Sequence, residues 1–549
     1  MDSVRLFSAM IFAVSVFLLY DAWVKEKNSP VNAPVATNST PASTHVPTVS
    51  ADFPPSAPAK AEAASRSSAS NLATIQVKTD VLIAEIDTVG GGIRRLQFTG
   101  HRDKLDASKD FVLFDKRSDH TYVAQSGLLG KEVPNHNTVY RASAPSYVLA
   151  EGQQSILVKL VAEIPGKVEV SKELTFQRDS FLVTEVLKIR NLGTGEIKPF
   201  AYFQLLRDGN PAVGDSKMVP TYTGAAIFTD ATKFNKLQFS DIAKEKAEYP
   251  KHAKDGWIAI LQHYFVAAWL PQAGSPREYY ARALGENLYT VGVIASAGSI
   301  PAGANSQIEM QLYAGPQVQD KLATLSPGLE LTVDYGWLTV IAAPLFWVLS
   351  AIQKWTGNWG IAIIMLTVII KLIFFPLSAA SYRSMAKMRV AAPKMQKLKE
   401  QYGDDRQKMH QAMIEMYKTE KINPLGGCLP VIVQIPVFIA LYWVLLASVE
   451  LRNAPFFGWI TDLSAQDPYY ILPVLMGATM IIQTWLNPTP PDPVQAKVMK
   501  IMPVVFSVFF FFFPAGLVLY WLVNNILSIA QQWQITRMIE RSNSAHGSR

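Results

Sequence analysis

From residue 358 onward the chain repeats one pattern: an apolar stretch, then a polar connection. The apolar stretches fall at about 358–377, 428–447, 469–486, 501–514 and 517–535. A bilayer core about 30 Å thick needs roughly 20 apolar residues to cross as a helix. Inside lipid the backbone must satisfy its own hydrogen bonds, so such stretches are restricted to helices. The last 200 residues or so are therefore expected to form a bundle of membrane spans. Phe513-Pro514-Ala515-Gly516 alone separates the last two, which predicts a tight hairpin. The stretch 501–514 would rise only about 21 Å at 1.5 Å per residue. A span that short is expected to thin the bilayer around it.

The first of these stretches carries a charge. In "IIMLTVIIKLIFFPL", residues 363 to 377, Lys371 sits within a lipid-like run. A cation near the bilayer centre costs at least about 2.5–3.5 kcal/mol on insertion scales. Snorkelling of the long side chain to the membrane surface is one way to reduce that cost. The other is a wet cavity shared with polar residues of neighbouring spans. Thr367 lies four residues earlier, on the same helical face. Gln434, Gln483, Asn524 and Asn525 are polar residues in the other stretches. They could line one hydrated pocket, or simply hydrogen-bond helix to helix.

Upstream, residues 6–20 form an apolar run after Arg5, followed by "DAWVKEKN". Trp23 and Lys25 stand where a signal-peptide cleavage site needs small residues. Residues 1–27 are therefore expected to be an uncleaved signal anchor. Residues 28–72 are rich in Pro, Ala, Ser and Thr, and too poor in large apolar residues to fold, so they make a tether. From 73 to 332 the pattern is that of strands. "VEVSKELTF" places Val168, Val170, Lys172, Leu174 and Phe176 on one face. "FLVTEVLKIRN" does the same with Phe181, Val183, Glu185, Leu187 and Ile189. Many short strands with little helical periodicity predict an exported β-sandwich. Residues 333–356, with Trp337 and Trp355 as flanks and Pro344 inside, are expected to lie as an amphipathic helix at the membrane interface.

Charge placement supports this order. Between 378 and 427 stand ten basic residues, Arg383, Lys387, Arg389, Lys394, Lys397, Lys399, Arg406, Lys408, Lys418 and Lys421, against five acidic ones. The loop 448–468 has one basic residue, Arg452, and three acidic. Basic loops face the cytoplasm, so the signs fit six spans with both termini cytoplasmic. The 378–427 loop shows helical spacing on both sides of Gly403-Asp404-Asp405, a stop followed by a new cap. It predicts a helical hairpin. Met385, Met388, Met395, Leu398 and Tyr402 form one stripe; Met409, Met413, Met416 and Tyr417 form the other. The stripes either pack on each other or offer a soft surface to apolar partners.

Composition excludes several function classes. Charged residues are 17% of the 549, and mean hydropathy is +0.13. An average soluble protein carries about 25% charge. The single Cys428 excludes a disulfide within the chain. There is no phosphate-binding loop, no HExxH and no Cys/His cluster, so no cofactor or metal is expected and no ATP use is implied. His101, His120, His136, His252 and His263 are expected as ordinary strand or loop residues.

The motifs "GNWGIAIIMLTVIIKLIFFPL", "MAKMR", "NPLGGCLPVIVQIPVFIALY", "LSAQDPYYILPVLMG" and "FPAGLVLYW" follow one another between 357 and 535. In order and spacing they resemble the YidC family of membrane protein insertases of Gram-negative bacteria. The anchor "MDSVR" and the outer domain resemble that form too, so the likeness covers nearly the whole chain. It implies a five-helix core, residues 357–536, with a hydrophilic groove open to cytoplasm and lipid and closed on the outer side. It implies an ATP-independent insertase and chaperone of the inner membrane, working alone or with the Sec translocon. A basic groove residue attracts the polar or acidic tail of a nascent membrane protein, whose helix then leaves into lipid. Lys371 stands where the family usually has Arg. Charge is kept, but the bidentate fork is lost. Thr367, Tyr520 and Trp521 fall at the family's substrate-contacting positions, and Gln434 and Asn524 complete the expected groove. The hairpin, with Arg383, Lys387, Arg389, Lys394, Lys397 and Lys399, and the basic tail 537–549 imply contacts with the ribosome and the signal-recognition-particle receptor. No specific nucleic-acid recognition is implied. The outer domain resembles sugar-mutarotase supersandwiches in fold, and fold alone carries no activity. No sugar chemistry, and no enzyme activity, is expected. The alternatives are a small-solute or anion transporter, for which the inverted repeats frequent in transporters are not visible, and a membrane-tethered carbohydrate enzyme.

Overall fold

A computed structural model describes residues 74–546, apart from 104–105, 107, 131, 213–220, 286, 403–404, 420–428 and 487–492. The expected anchor 1–27 and tether 28–72 lie outside the described residues. The chain divides into two compact units at Val333/Asp334.

The first unit is built from two antiparallel sheets of ten and nine strands, with one parallel pairing between Thr74–Lys78 and Ser146–Val148. Phe200–Asp208 lies inside the ten-stranded sheet, between Thr121–Leu129 and Leu288–Ser296. Asn305–Pro316 lies inside the nine-stranded sheet, between Leu182–Asn191 and Phe265–Pro271. Alternating apolar residues make these strands, because successive side chains face opposite ways. Val168, Val170, Leu174 and Phe176 of one strand and Val183, Leu187 and Ile189 of the next are all buried. The two inner faces meet where Phe203 of one sheet lies 5.3 Å from Trp269 of the other. Short end strands such as His252–Ala253 and Arg141–Ala142 limit the exposed edges. Gly90 and Gly91 turn the chain between Leu82–Asp87 and Ile93–Arg102 at φ of 85° and 62°, where a side chain would be strained.

The alternation also carries two charges inward. Lys172 is fully buried and Glu185 nearly so. Lys172 Nζ donates to Gly90 O at 2.7 Å, Ser126 O at 2.8 Å and Ser126 Oγ at 2.6 Å, which uses all three of its protons. The Ser126 hydroxyl in turn donates to Glu185.

The second unit is helical. In chain order its helices are α1 (Thr339–Thr356), α2 (Trp359–Ile373), α3 (Phe375–Tyr402), α4 (Arg406–Thr419), α5 (Leu429–Ala447), α6 (Ile471–Leu486), α7 (Pro493–Phe509) and α8 (Ala515–His546). Two expected spans have different bounds, and the tail adds a detail. The stretch 358–377 is not one straight helix: α2 and the start of α3 meet at 65°. Pro376 has no N–H to give to Leu372 O, so the ladder stops at Phe374 and restarts with Ser378 N donating to Phe374 O at 3.0 Å. The stretch 501–514 belongs to a longer helix, because α7 begins at Pro493 and is continued by a 3-10 turn, Phe510–Phe512. Its 17 residues rise about 26 Å, and its first two turns carry Lys497 and Lys500. The basic tail is the end of α8, which runs on to His546. Among the described residues no single helix is long and apolar enough to cross a membrane. The bent pair of α2 and Phe375–Met385 passes together.

The connection between α5 and α6 is stapled to two helix ends. Asn358 caps α2, its Oδ1 accepting from Ile361 N at 3.1 Å, and its Nδ2 donates to Phe456 O at 2.9 Å. At the α7–α8 hairpin, Ala515 N donates to Ala465 O at 2.7 Å and Gly516 N to Leu463 O at 2.9 Å. Asp467, 2% exposed, accepts from Trp459 Nε1 and from the backbone N–H of Tyr469 and Leu472, which fixes the start of α6.

α1 buries Ala342, Phe346 and Leu349, and exposes Val340, Trp347 and Trp355. α3 and α4 form the expected hairpin. Met395 is buried in it, and Tyr417 Oη donates to its sulfur at 3.4 Å. The two stripes meet at Met395 and Tyr417, whereas Met385 faces the space among the other helices.

Candidate functional site: a polar groove among the helices

Five helices enclose a cavity of about 350 Å³. α2 contributes Lys371. The first turns of α3 contribute Ser378, Ser381, Tyr382 and Met385. α5 adds Gln434 and Phe438, α6 adds Met480, Gln483 and Thr484, and α8 adds Tyr520, Trp521, Asn524, Asn525 and Ser528. Positions 520, 524 and 528 repeat every four residues, which is one face of a helix. Ser378 stands seven residues, about two helical turns, beyond Lys371, and both line this space although the chain bends by 65° between them.

Lys371 is 8% exposed, while its neighbour Leu372 is 65% exposed. The cation points in and the leucine out. Lys371 Nζ donates to Ser528 Oγ at 2.7 Å. The Ser528 hydroxyl donates its own proton to Asn524 O at 2.7 Å. Gln434 Nε2 donates to Asn524 Oδ1 at 2.6 Å, and Asn525 Nδ2 to Thr479 Oγ1 at 3.2 Å. These polar side chains connect α2, α5, α6 and α8 across the interior of the unit. Phe438 meets Trp521 edge-on at 4.5 Å, forming an aromatic wall with Tyr520. The outer surface is the reverse. Ile373, Val474, Val504, Val505, Val508 and Ile526 are all at least half exposed.

Of the residues expected from sequence, the structure brings together Lys371, Gln434, Gln483, Tyr520, Trp521, Asn524 and Asn525. Thr367 is placed differently. It is 1% exposed, donates to Ile363 O of its own helix at 2.6 Å, and does not line the cavity. Arg383, Lys387, Lys394 and Lys397 stand exposed on α3. Arg389 and Lys399 lie on the same helix, with side chains outside the described set. Sequence reasoning missed Ser378, Ser381 and Ser528. The signal for Ser528 was available, four residues beyond Asn524.

A helical unit that is apolar outside and polar within, on a chain that also carries a large β-sandwich, fits a membrane protein with an added β domain. The comparisons then give the family. The model for the YidC periplasmic domain matches residues 74–348, and that for the 60Kd inner membrane protein matches 351–542. The membrane protein insertase YidC of Nitrosospira multiformis is 54% identical over 99% of this chain and 98% of its own. The chain belongs to the YidC family. A crystal structure of an active YidC insertase is similar at 18% identity, covering 85% of this chain and 92% of that one, with a TM-score of 0.39. A galactose mutarotase related enzyme from Lactobacillus acidophilus is similar over 44% of this chain and 97% of its own, at 12% identity and a TM-score of 0.30. Nothing in the comparisons supports the transporter alternative.

Proposed function

We propose that this chain is an ATP-independent insertase and chaperone that moves nascent inner-membrane proteins from cytoplasm into lipid through the groove holding Lys371. The observation that supports this best is the contrast between Lys371 and Leu372, a buried cation beside an exposed leucine on one helix. A cation enclosed by Gln, Asn, Ser and Tyr side chains, inside a unit with an apolar exterior, offers a polar tail a foothold below the lipid surface. The half-buried Phe438 and Trp521 offer the following apolar helix a surface to slide along. No bond is made or broken, so the activity is not catalysis in the chemical sense.

In this reading the β-sandwich is periplasmic, the protein has six spans with both termini cytoplasmic, and α3 and α4 form the cytoplasmic docking hairpin. The exposed Arg383, Lys387, Lys394 and Lys397, together with Arg389 and Lys399, offer that hairpin to the ribosome and the signal-recognition-particle receptor. Cooperation with the Sec translocon serves larger substrates.

The test is depletion of the protein, followed by insertion of a small phage-coat-like substrate with an acidic outer tail. Insertion should fail, be restored by the wild type and Lys371→Arg, and not be restored by Lys371→Glu. Full restoration by Lys371→Leu would remove the groove charge from the mechanism.

A further inference from the structure

Lys371 lacks the fork of an arginine, so something else must aim it. Among the described residues, the one recorded acceptor for Lys371 Nζ is Ser528 Oγ, at 2.7 Å. A serine hydroxyl has one proton and two lone pairs. The Ser528 proton is committed to Asn524 O, four residues back on α8, at 2.7 Å. With that proton turned along the helix, the lone pairs face Lys371. The hydroxyl is therefore fixed as an acceptor, and it is itself 4% exposed at the residue level. Two further bonds tie this stretch of α8 to its neighbours, though neither reaches the hydroxyl itself. Tyr382 Oη, on α3, donates to Ser528 O at 3.4 Å. Gln434 Nε2, on α5, donates to the Asn524 side chain at 2.6 Å.

An ammonium has three donors. One goes to Ser528, which leaves two directed at a cavity whose walls include Ser378, Ser381 and Asn524. We propose that Ser528 is a positioning residue which pins Lys371 to α8, so that its two remaining donors meet the carboxylate of an acidic substrate tail. This rests on the insertase reading above, in which the groove cation meets an acidic tail; what is added is the residue that aims it. Without Ser528 the flexible four-carbon stem of Lys371 would sample other rotamers, and part of that freedom would have to be lost each time a tail binds. Arginine needs no such partner, because its planar fork is already organised.

The test uses the full-length protein in cells depleted of the wild type. Two substrates are compared that differ only in the outer tail, one acidic and one with the acids replaced by Asn and Gln. The readout is the ratio of acidic-tail to neutral-tail insertion, which cancels differences in the amount of folded insertase. Ser528→Ala should lower the ratio about tenfold, equivalent to about 1.4 kcal/mol. Ser528→Thr, which keeps the hydroxyl and its bond to Asn524 O, should hold the ratio near that of the wild type. Lys371→Arg in the Ser528→Ala background should recover it. An unchanged ratio in Ser528→Ala, or no recovery by Lys371→Arg, overturns the positioning role. If Lys371→Glu itself leaves both substrates inserting normally, the insertase reading of the groove fails instead, which is a separate result.

Discussion

Lys172 Nζ and Glu185 Oε1 lie 3.8 Å apart, both buried between the sheets of the β-sandwich. Burial pulls the Lys172 ammonium down to about 8, with the Glu185 charge pushing back. Burial pushes the Glu185 carboxyl up, against the opposing pull of Lys172 and Ser126. Removing one member of a buried pair strands the other, at about 3–5 kcal/mol. Lys172→Met should therefore destabilise the protein by that amount, and Lys172→Met with Glu185→Leu should recover at least half of the loss. Denaturant titration of the purified full chain in detergent checks this. A double variant no more stable than Lys172→Met would show that the pair is not coupled.

Asp208 gives the sandwich an acid-sensitive contact. Burial alone would raise its carboxyl, but the bond from His120, at 2.7 Å, and the backbone N–H of Thr121 and Asn210 outweigh that and hold it below its usual 3.8. A depressed carboxylate stabilises the fold above the unfolded value, and that stability is lost as pH falls through the folded one. His120→Ala should be less stable than the wild type above about pH 4, with the gap closing at lower pH as Asp208 takes up its proton. Fluorescence of the buried Trp257 and Trp269 follows the transition. A gap independent of pH would assign the loss to packing alone.

Asp467 ties the loop between α5 and α6 to the start of α6. Asp467→Ala leaves Trp459 Nε1 and the Leu472 N–H without their acceptor, at about 1–3 kcal/mol. Asp467→Asn, which keeps a side-chain oxygen, should lose less. Thermal melting of the two variants in detergent gives the order, and equal melting points would contradict it.

Gly360 lies against Phe456 in the first turn of α2. A Cβ there would clash with Phe456 Cδ2 and Cγ. Gly360→Ala should push Phe456 outward, costing about 1–3 kcal/mol as an overpacked contact. Limited proteolysis should then cut residues 449–470 faster than in the wild type. Unchanged cleavage would mean that the loop holds through Asn358, Ala515 and Gly516 without Phe456.

Much of this molecule is legible in its sequence because the signals are local. Period-two alternation fixes which face of Val168–Gln177 and Leu182–Asn191 is buried, Lys172 and Glu185 included. Helical spacing announces the α3–α4 hairpin, and the family motifs locate Lys371, Tyr520 and Trp521. Thr367 shows the limit. Shared helical face suggested it would join Lys371, but a buried threonine can satisfy its hydroxyl on its own backbone, and this one does. The register of α8 against α2 chooses Ser528 as the partner of Lys371, over a separation of 157 residues. Ser378, seven residues beyond Lys371, lines the groove although the chain bends between them at Phe374. Apolar pattern and spacing thus determined the elements and the buried charges. Which polar groups meet was decided only by helix packing, because a side chain's partner depends on distances in space that the order of residues does not fix.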